Sequence, residues 1–139
     1  MKTKNLMANR LVIDTNVLVS CLSSKSMYHK LIQALLNEEF KLFVTDEIMF
    51  EYEEILKLKY SYEVANAFIA ALKELPNVAY IKVYFKWNLL TDEDDNKFAD
   101  CYLAANAQLL ITNDKGFEQL RKVDFPIINI IKLEDYLNI

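Results

Sequence analysis

The residues of this chain best placed to do chemistry are carboxylates. Asp92, Glu93, Asp94 and Asp95 stand together just before a run of good helix formers, Asn96 to Ala107. Asp114 follows the short apolar run Leu109-Leu110-Ile111, and Asp14 follows another, Leu11-Val12-Ile13. An acid at the end of a buried strand lies where open α/β sheets carry their ligand sites. Glu51 is a third kind of position. At 100° per residue it falls between Ile55 and Leu58, inside an apolar stripe made by Ile48, Tyr52, Ile55 and Leu56. An acid on that face costs desolvation unless something pairs with it. Acids converging in one cleft repel each other unless protons or cations compensate. Oxygen ligands without His or Cys suit Mg²⁺ or Mn²⁺, and such a site assists phosphodiester hydrolysis.

Each acid also has a plainer explanation. Asp14 and Asp95 are good helix caps, Asp114 is a common turn residue beside Gly116, and Glu51 could reach water from the edge of the core. The spacing Asp92-x-Asp94-x-Asn96 is that of a calcium loop, but Lys97 stands where the loop needs Gly and Leu103 where it needs Glu. Asp100 lies more than about 100° round its helix from Asp95, which favours a supporting or capping role over direct ligation. Other chemistries lack material. His29 is the sole histidine and reads as a boundary residue, and Cys21 and Cys101 are isolated, without metal-type spacing.

The elements that would position these acids alternate. Strands are expected at residues 11–13, 41–45, 78–85, 109–111 and 127–131. Helices are expected at 28–39, from 46 to about 58, at 62–75 and 96–107, with a short one at 134–137. Strands alternating with helices imply crossover units and a mainly parallel sheet with helices on both faces. The chain has 139 residues, 53% hydrophobic and 26% charged, the composition of an ordinary globular domain, and one domain over 1–139 is expected. The start, Met-Lys-Thr-Lys-Asn, leads into no uninterrupted apolar segment. A reduced, cytoplasmic protein with no membrane span is the reading.

The net charge of −4 argues against a simple electrostatic DNA binder. Setting four of the 20 acids aside as metal ligands leaves 16 against 16 bases. Bound divalent cations would then supply positive charge that the overall count hides.

Taken together, four motifs resemble the PIN-domain family of metal-dependent ribonucleases, over about residues 10–135. They are Asp14-Thr15-Asn16, then Val44-Thr45-Asp46-Glu47-Ile48 leading to Glu51, Asp94-Asp95-Asn96-Lys97-Phe98, and Ile111-Thr112-Asn113-Asp114-Lys115. The chain is similar to the bacterial VapC-like toxins of toxin–antitoxin pairs. The resemblance implies a three-layer α/β/α fold with a five-stranded sheet of order 3-2-1-4-5. It implies Asp14, Glu51, Asp95 and Asp114 as catalytic, metal-binding acids for Mg²⁺ or Mn²⁺, with Asn16 and Thr112 orienting them. Asn106 and Asn113 depart from it, standing where Gly is frequent.

The activity so implied is endonucleolytic hydrolysis of RNA, with a small antitoxin protein and a homodimer as partners. Lys25 and Lys115 lie nearest the expected cleft as RNA contacts. Lys57 and Lys59, beside Tyr60 and Tyr62, either bind RNA too or form a solvated helix end with a packed aromatic pair. Three alternatives stay open: a housekeeping PIN ribonuclease, an inactive PIN scaffold that only binds, and a receiver-type phosphoacceptor module. The last lacks its acidic pair, since residues 11–13 before Asp14 are apolar.

Overall fold

A computed structural model describes residues 8–138. The outermost residues of the expected domain, 1–7 and 139, lie outside the described residues. Five parallel strands form one sheet: β1 (Arg10–Ile13), β2 (Lys41–Val44), β3 (Val78–Tyr80), β4 (Leu109–Ile111) and β5 (Ile130–Ile131). Their order is β3-β2-β1-β4-β5, with helices on both sides, as the sequence led us to expect. The helices are α1 (Thr15–Ser20), α2 (Lys30–Leu36), α3 (Asp46–Lys59), α4 (Tyr62–Glu74), α5 (Asn96–Ala105) and α6 (Leu133–Leu137).

The central strands are short and unbroken in hydrophobicity because both faces are covered. Leu11, Val12, Ile13, Leu42, Val44, Leu110 and Ile111 are all buried. Register follows: Val12 pairs with Leu110 and Ile13 with Ile111, so β1 and β4 end level, side by side. Tyr52, fully buried on α3, donates its hydroxyl to the Ile13 carbonyl at 2.6 Å and fixes the end of β1. At the other end of β1, the Arg10 guanidinium donates to the Ala105 and Asn106 carbonyls at the C-terminus of α5 and lies over the Phe43 ring. A cation there complements the negative end of the helix dipole.

Several element boundaries differ from expectation. The third strand stops at Tyr80 rather than Phe85. Its sole neighbour β2 ends at Val44, and after the Ile81 N–H has bonded the Val44 carbonyl (2.8 Å) no partner backbone remains. The last strand shrinks likewise to Ile130–Ile131, the stretch facing Leu110 and Ile111. Helix α1 was not anticipated, nor were the 3₁₀ turns at Lys115–Lys122. The expected helix 28–39 is confined to Lys30–Leu36 and is followed by a left-handed Glu38 (φ 60°). With Gly116 the sole glycine, left-handed positions fall on Glu38 and on Asn88, Asn106 and Asn138. Asn tolerates that conformation better than other residues with a Cβ.

Candidate active site

The level ends of β1 and β4 deliver Asp14 and the Thr112–Asp114 turn to one place at the C-terminal edge of the sheet. Asp14 is the residue before α1, yet its side chain makes no capping bond. Its Oδ2 instead accepts from the Thr112 hydroxyl at 2.9 Å, across from β4. The same Thr112 oxygen accepts the Asp114 N–H at 3.1 Å, so one buried hydroxyl links the two strand ends. Asp95 precedes α5 and also makes no capping bond. The capping of this acidic turn falls to Asp92, whose Oδ1 takes the Asp94 N–H. Asp114 does act as a turn residue, its Oδ1 accepting the Gly116 N–H at 2.8 Å.

These placements have an electrostatic consequence. Burial, foremost, pushes Asp14 up to about 6, with the charges of Asp114 and Glu51 adding to it while the Thr112 hydroxyl opposes. Asp95 also rises to about 6, chiefly through burial, then through Asp92, Asp114 and Asp14, with Lys97 pulling the other way. The three aspartates thus share one field, and each ionisation makes the next harder. Among the described residues no three His, Cys, Asp or Glu side chains close tightly enough to enclose an ion. The acids stand within electrostatic reach of each other rather than in contact.

The space beside them is open because residue 116 is glycine. A Cβ there would come to 3.3 Å from Asp114 Oδ1 and 3.5 Å from Asp95 Oδ2, roofing the gap between the two acids. Two carboxylate oxygens thus flank an open space, and a set of oxygen donors without His or Cys is of the kind that hard divalent cations favour.

Glu51 lies at the edge of this group. The buried face of α3 is built by Ile48, Met49, Tyr52 and Leu56, with Leu58 77% exposed. Leu58 is therefore no part of the stripe, and Glu51 sits on its half-buried flank with Ile55. Two partners that the sequence did not single out hold Glu51. The Thr15 hydroxyl donates to its Oε2, and the Lys97 ammonium lies 2.7 Å from its Oε1. Thr15 and Lys97 both lie within the family motifs, Asp14-Thr15-Asn16 and Asp94-Asp95-Asn96-Lys97-Phe98, but with no role assigned to them. Neither could be chosen without knowing that α1 and the start of α5 both pack against α3.

The remaining candidates separate. Asn16 is exposed, and its side chain has no hydrogen-bond partner among the described residues. Asp100 is buried, and its Oδ1 accepts the Trp87 N–H at 3.1 Å. It tethers the irregular 81–90 segment to α5 rather than touching the four acids. Lys57 is paired with Glu53 (3.3 Å) and stands over the Tyr62 ring, while Lys25, Lys59 and Lys115 are exposed. His29 is half-buried, its Nδ1 2.9 Å from the Cys21 carbonyl. Cys21 and Cys101 are buried, and burial pushes their thiols up to about 11 and about 12, away from the thiolate form.

The family model described as "PIN domain" matches residues 10–116, a span that includes all four acids. A comparison with curated protein sequences gives no match. Among solved structures, VapBC-1 of nontypeable Haemophilus influenzae is similar with a TM-score of 0.61 at 20% identity, over 88% of this chain and 97% of that one. VapC20 of Mycobacterium tuberculosis, described as a sarcin-ricin loop cleaving toxin, gives 0.56 at 15% identity, over 78% and 92%. The PIN domain endonuclease Utp24 gives 0.54 at 24% identity, over 88% and 83%. At these identities the likeness is one of fold.

Proposed function

The chain belongs to the PIN domain family, and on that premise we propose that it is a nuclease of the Mg²⁺- or Mn²⁺-dependent kind that cuts RNA internally, the toxin of a toxin–antitoxin pair. The observation that carries this is the shared electrostatic field of Asp14, Asp95 and Asp114, with Asp95 and Asp114 flanking the space beside Gly116 and the carboxyls of Asp14 and Asp95 pushed up to about 6. In this reading the three aspartates hold the ion, and Glu51 reaches it directly or through water. A bound divalent ion supplies a lowered water pKa and neutralises charge on the scissile phosphate.

The chain's own residues do the positioning. Thr112 keeps Asp14 and the Asp114 backbone in one fixed relation. Gly116 leaves the approach to Asp95 and Asp114 unroofed. Lys115, exposed beside Asp114, and Lys25 are the cations proposed to meet the RNA backbone. The overlays on VapC20 and VapBC-1 support an RNA substrate and a small antitoxin partner. A homodimer, a single catalytic domain and a cytoplasmic location complete the proposal. No helix among the described residues is long and apolar enough to cross a membrane.

The test is cleavage of a mixture of tRNAs and unstructured RNA in Mn²⁺, Mg²⁺ or EDTA, comparing wild type with Asp14→Asn. Cutting that needs the metal and is lost in the variant is the expected result. Equal cutting in EDTA, or by the variant, refutes the mechanism.

A further inference from the structure

Glu51 differs from the three aspartates in being already neutralised. Both of its oxygens are engaged: Oε2 by the Thr15 hydroxyl, Oε1 by the Lys97 ammonium at 2.7 Å. Lys97 is itself held at a second point, its Nζ donating to the Asp94 carbonyl at 2.5 Å, with the Phe98 ring 5.3 Å away. Its side chain is 13% exposed and that of Glu51 27%, so the pair is largely withdrawn from water. The ammonium therefore comes from the first turn of α5, just after Asp95, and reaches across to the helix that supplies Glu51.

We propose that Lys97 is a built-in counter-cation for Glu51 and occupies the place a second divalent ion would otherwise take. The cleft is then a single-ion centre in which Glu51 meets the ion only through solvent. This rests on the reading of the cleft as a divalent-ion nuclease site and specifies its ion count. In two-ion phosphodiesterase sites the ions stand roughly 4 Å apart and share carboxylates. Here a second ion would have to displace a partly desolvated ammonium that makes two charge-assisted or carbonyl bonds. It would also have to take a carboxylate from its hydroxyl donor. At Asp14, Asp95 and Asp114 no cation has to leave first, since none has an ion-pair partner among the described residues, and the Thr112 hydroxyl occupies a single oxygen of Asp14. Lys97 is thus a positioning residue, acting through Glu51 and through charge.

The experiment counts ions rather than turnover. Mn²⁺ is titrated into the full chain by calorimetry, with free Mn²⁺ followed by electron paramagnetic resonance, for wild type, Lys97→Gln, Lys97→Arg, Glu51→Gln and Asp14→Asn. Wild type and Lys97→Arg should bind a single ion, and Lys97→Gln should gain a second, weaker one. Glu51→Gln, acting from behind the ligands, should weaken the first ion by about 10–100-fold, and less than Asp14→Asn, which removes a ligand. A second ion in wild type, or none gained in Lys97→Gln, overturns the proposal. So does a loss in Glu51→Gln equal to that in Asp14→Asn, a comparison that stands even if Lys97→Gln fails to fold. Wild type binding no Mn²⁺ at all refutes the nuclease reading itself, which separates the two failures.

Discussion

Replacing Asp14 by Asn should stabilise the metal-free protein, and by an amount that depends on pH. Asp14 is buried, and its carboxyl is raised from 3.8 to about 6. A raised value in the folded state means that folding favours the protonated form. The associated stability is fully present below about pH 4 and is lost as the pH rises through 6. Two units at 1.36 kcal/mol each set a ceiling of about 3 kcal/mol, reached above pH 6–7. Asn resembles the protonated acid in shape and can still accept from the Thr112 hydroxyl. Urea unfolding in EDTA should therefore show the variant equal to wild type near pH 3.5 and more stable by roughly 1–3 kcal/mol at pH 8. That corresponds to a rise in Tm of about 3–10 °C for a chain of this size. Added Mg²⁺ should close the gap by stabilising wild type alone. A variant no more stable than wild type at pH 8, or a difference independent of pH, would refute the electrostatic account of the cleft.

Three further perturbations probe its supports. Thr112→Val removes the donor to Asp14 and the acceptor for the Asp114 N–H. It should cost about 2 kcal/mol in urea and move the Asp14 titration, followed by carboxyl NMR, further up. Asn106 sits at φ 55° after α5, so Asn106→Gly should leave stability within about 0.5 kcal/mol, whereas Asn106→Val should lower it by roughly 1–2 kcal/mol on thermal unfolding. Asp100→Ala should free the 81–90 segment without dismantling the cleft. The sole tryptophan, Trp87, then becomes more open to acrylamide quenching, while RNA cutting falls by less than about tenfold.

The sheet could be read from the sequence because its central strands obey a simple rule. Leu11-Val12-Ile13 and Leu109-Leu110-Ile111 are continuous apolar runs, and being covered on both faces makes them so. Strand ends at the sheet edges could not be read. Ile81 to Phe85 are as β-prone as Val78 to Tyr80, and pairing partners rather than propensity stop β3. Helix α1 was hidden because its core-facing Val17, Leu18 and Val19 read equally well as part of an apolar run.

The site divides in the same way. Asp14, Asp95 and Asp114 were marked by position, each at the junction of a strand or turn with a helix, and the fold sets them in one field. Thr15 and Lys97 carry no such mark. Their importance comes from contacts with Glu51 on α3, made by Thr15 from α1 and by Lys97 from the start of α5, 36 and 46 residue numbers away, and no local pattern encodes them.

Arg10 and Asp14 have one more consequence, for where this chain can change length. Strand β1 carries Arg10 at one end, fastened to the back of α5, and Asp14 at the other, facing Asp95 at the front of α5. The four steps of strand span about 13 Å and the ten helical steps from Asp95 to Ala105 about 15 Å, so the two elements act as matched gauges. One residue added to β1 would turn its side chains to the opposite face and push the acid past its partners. Insertions should therefore be accepted at the Ser23–Ser26 turn, in the irregular 81–89 segment and around 123–129, while β1 and α5 can only lengthen together.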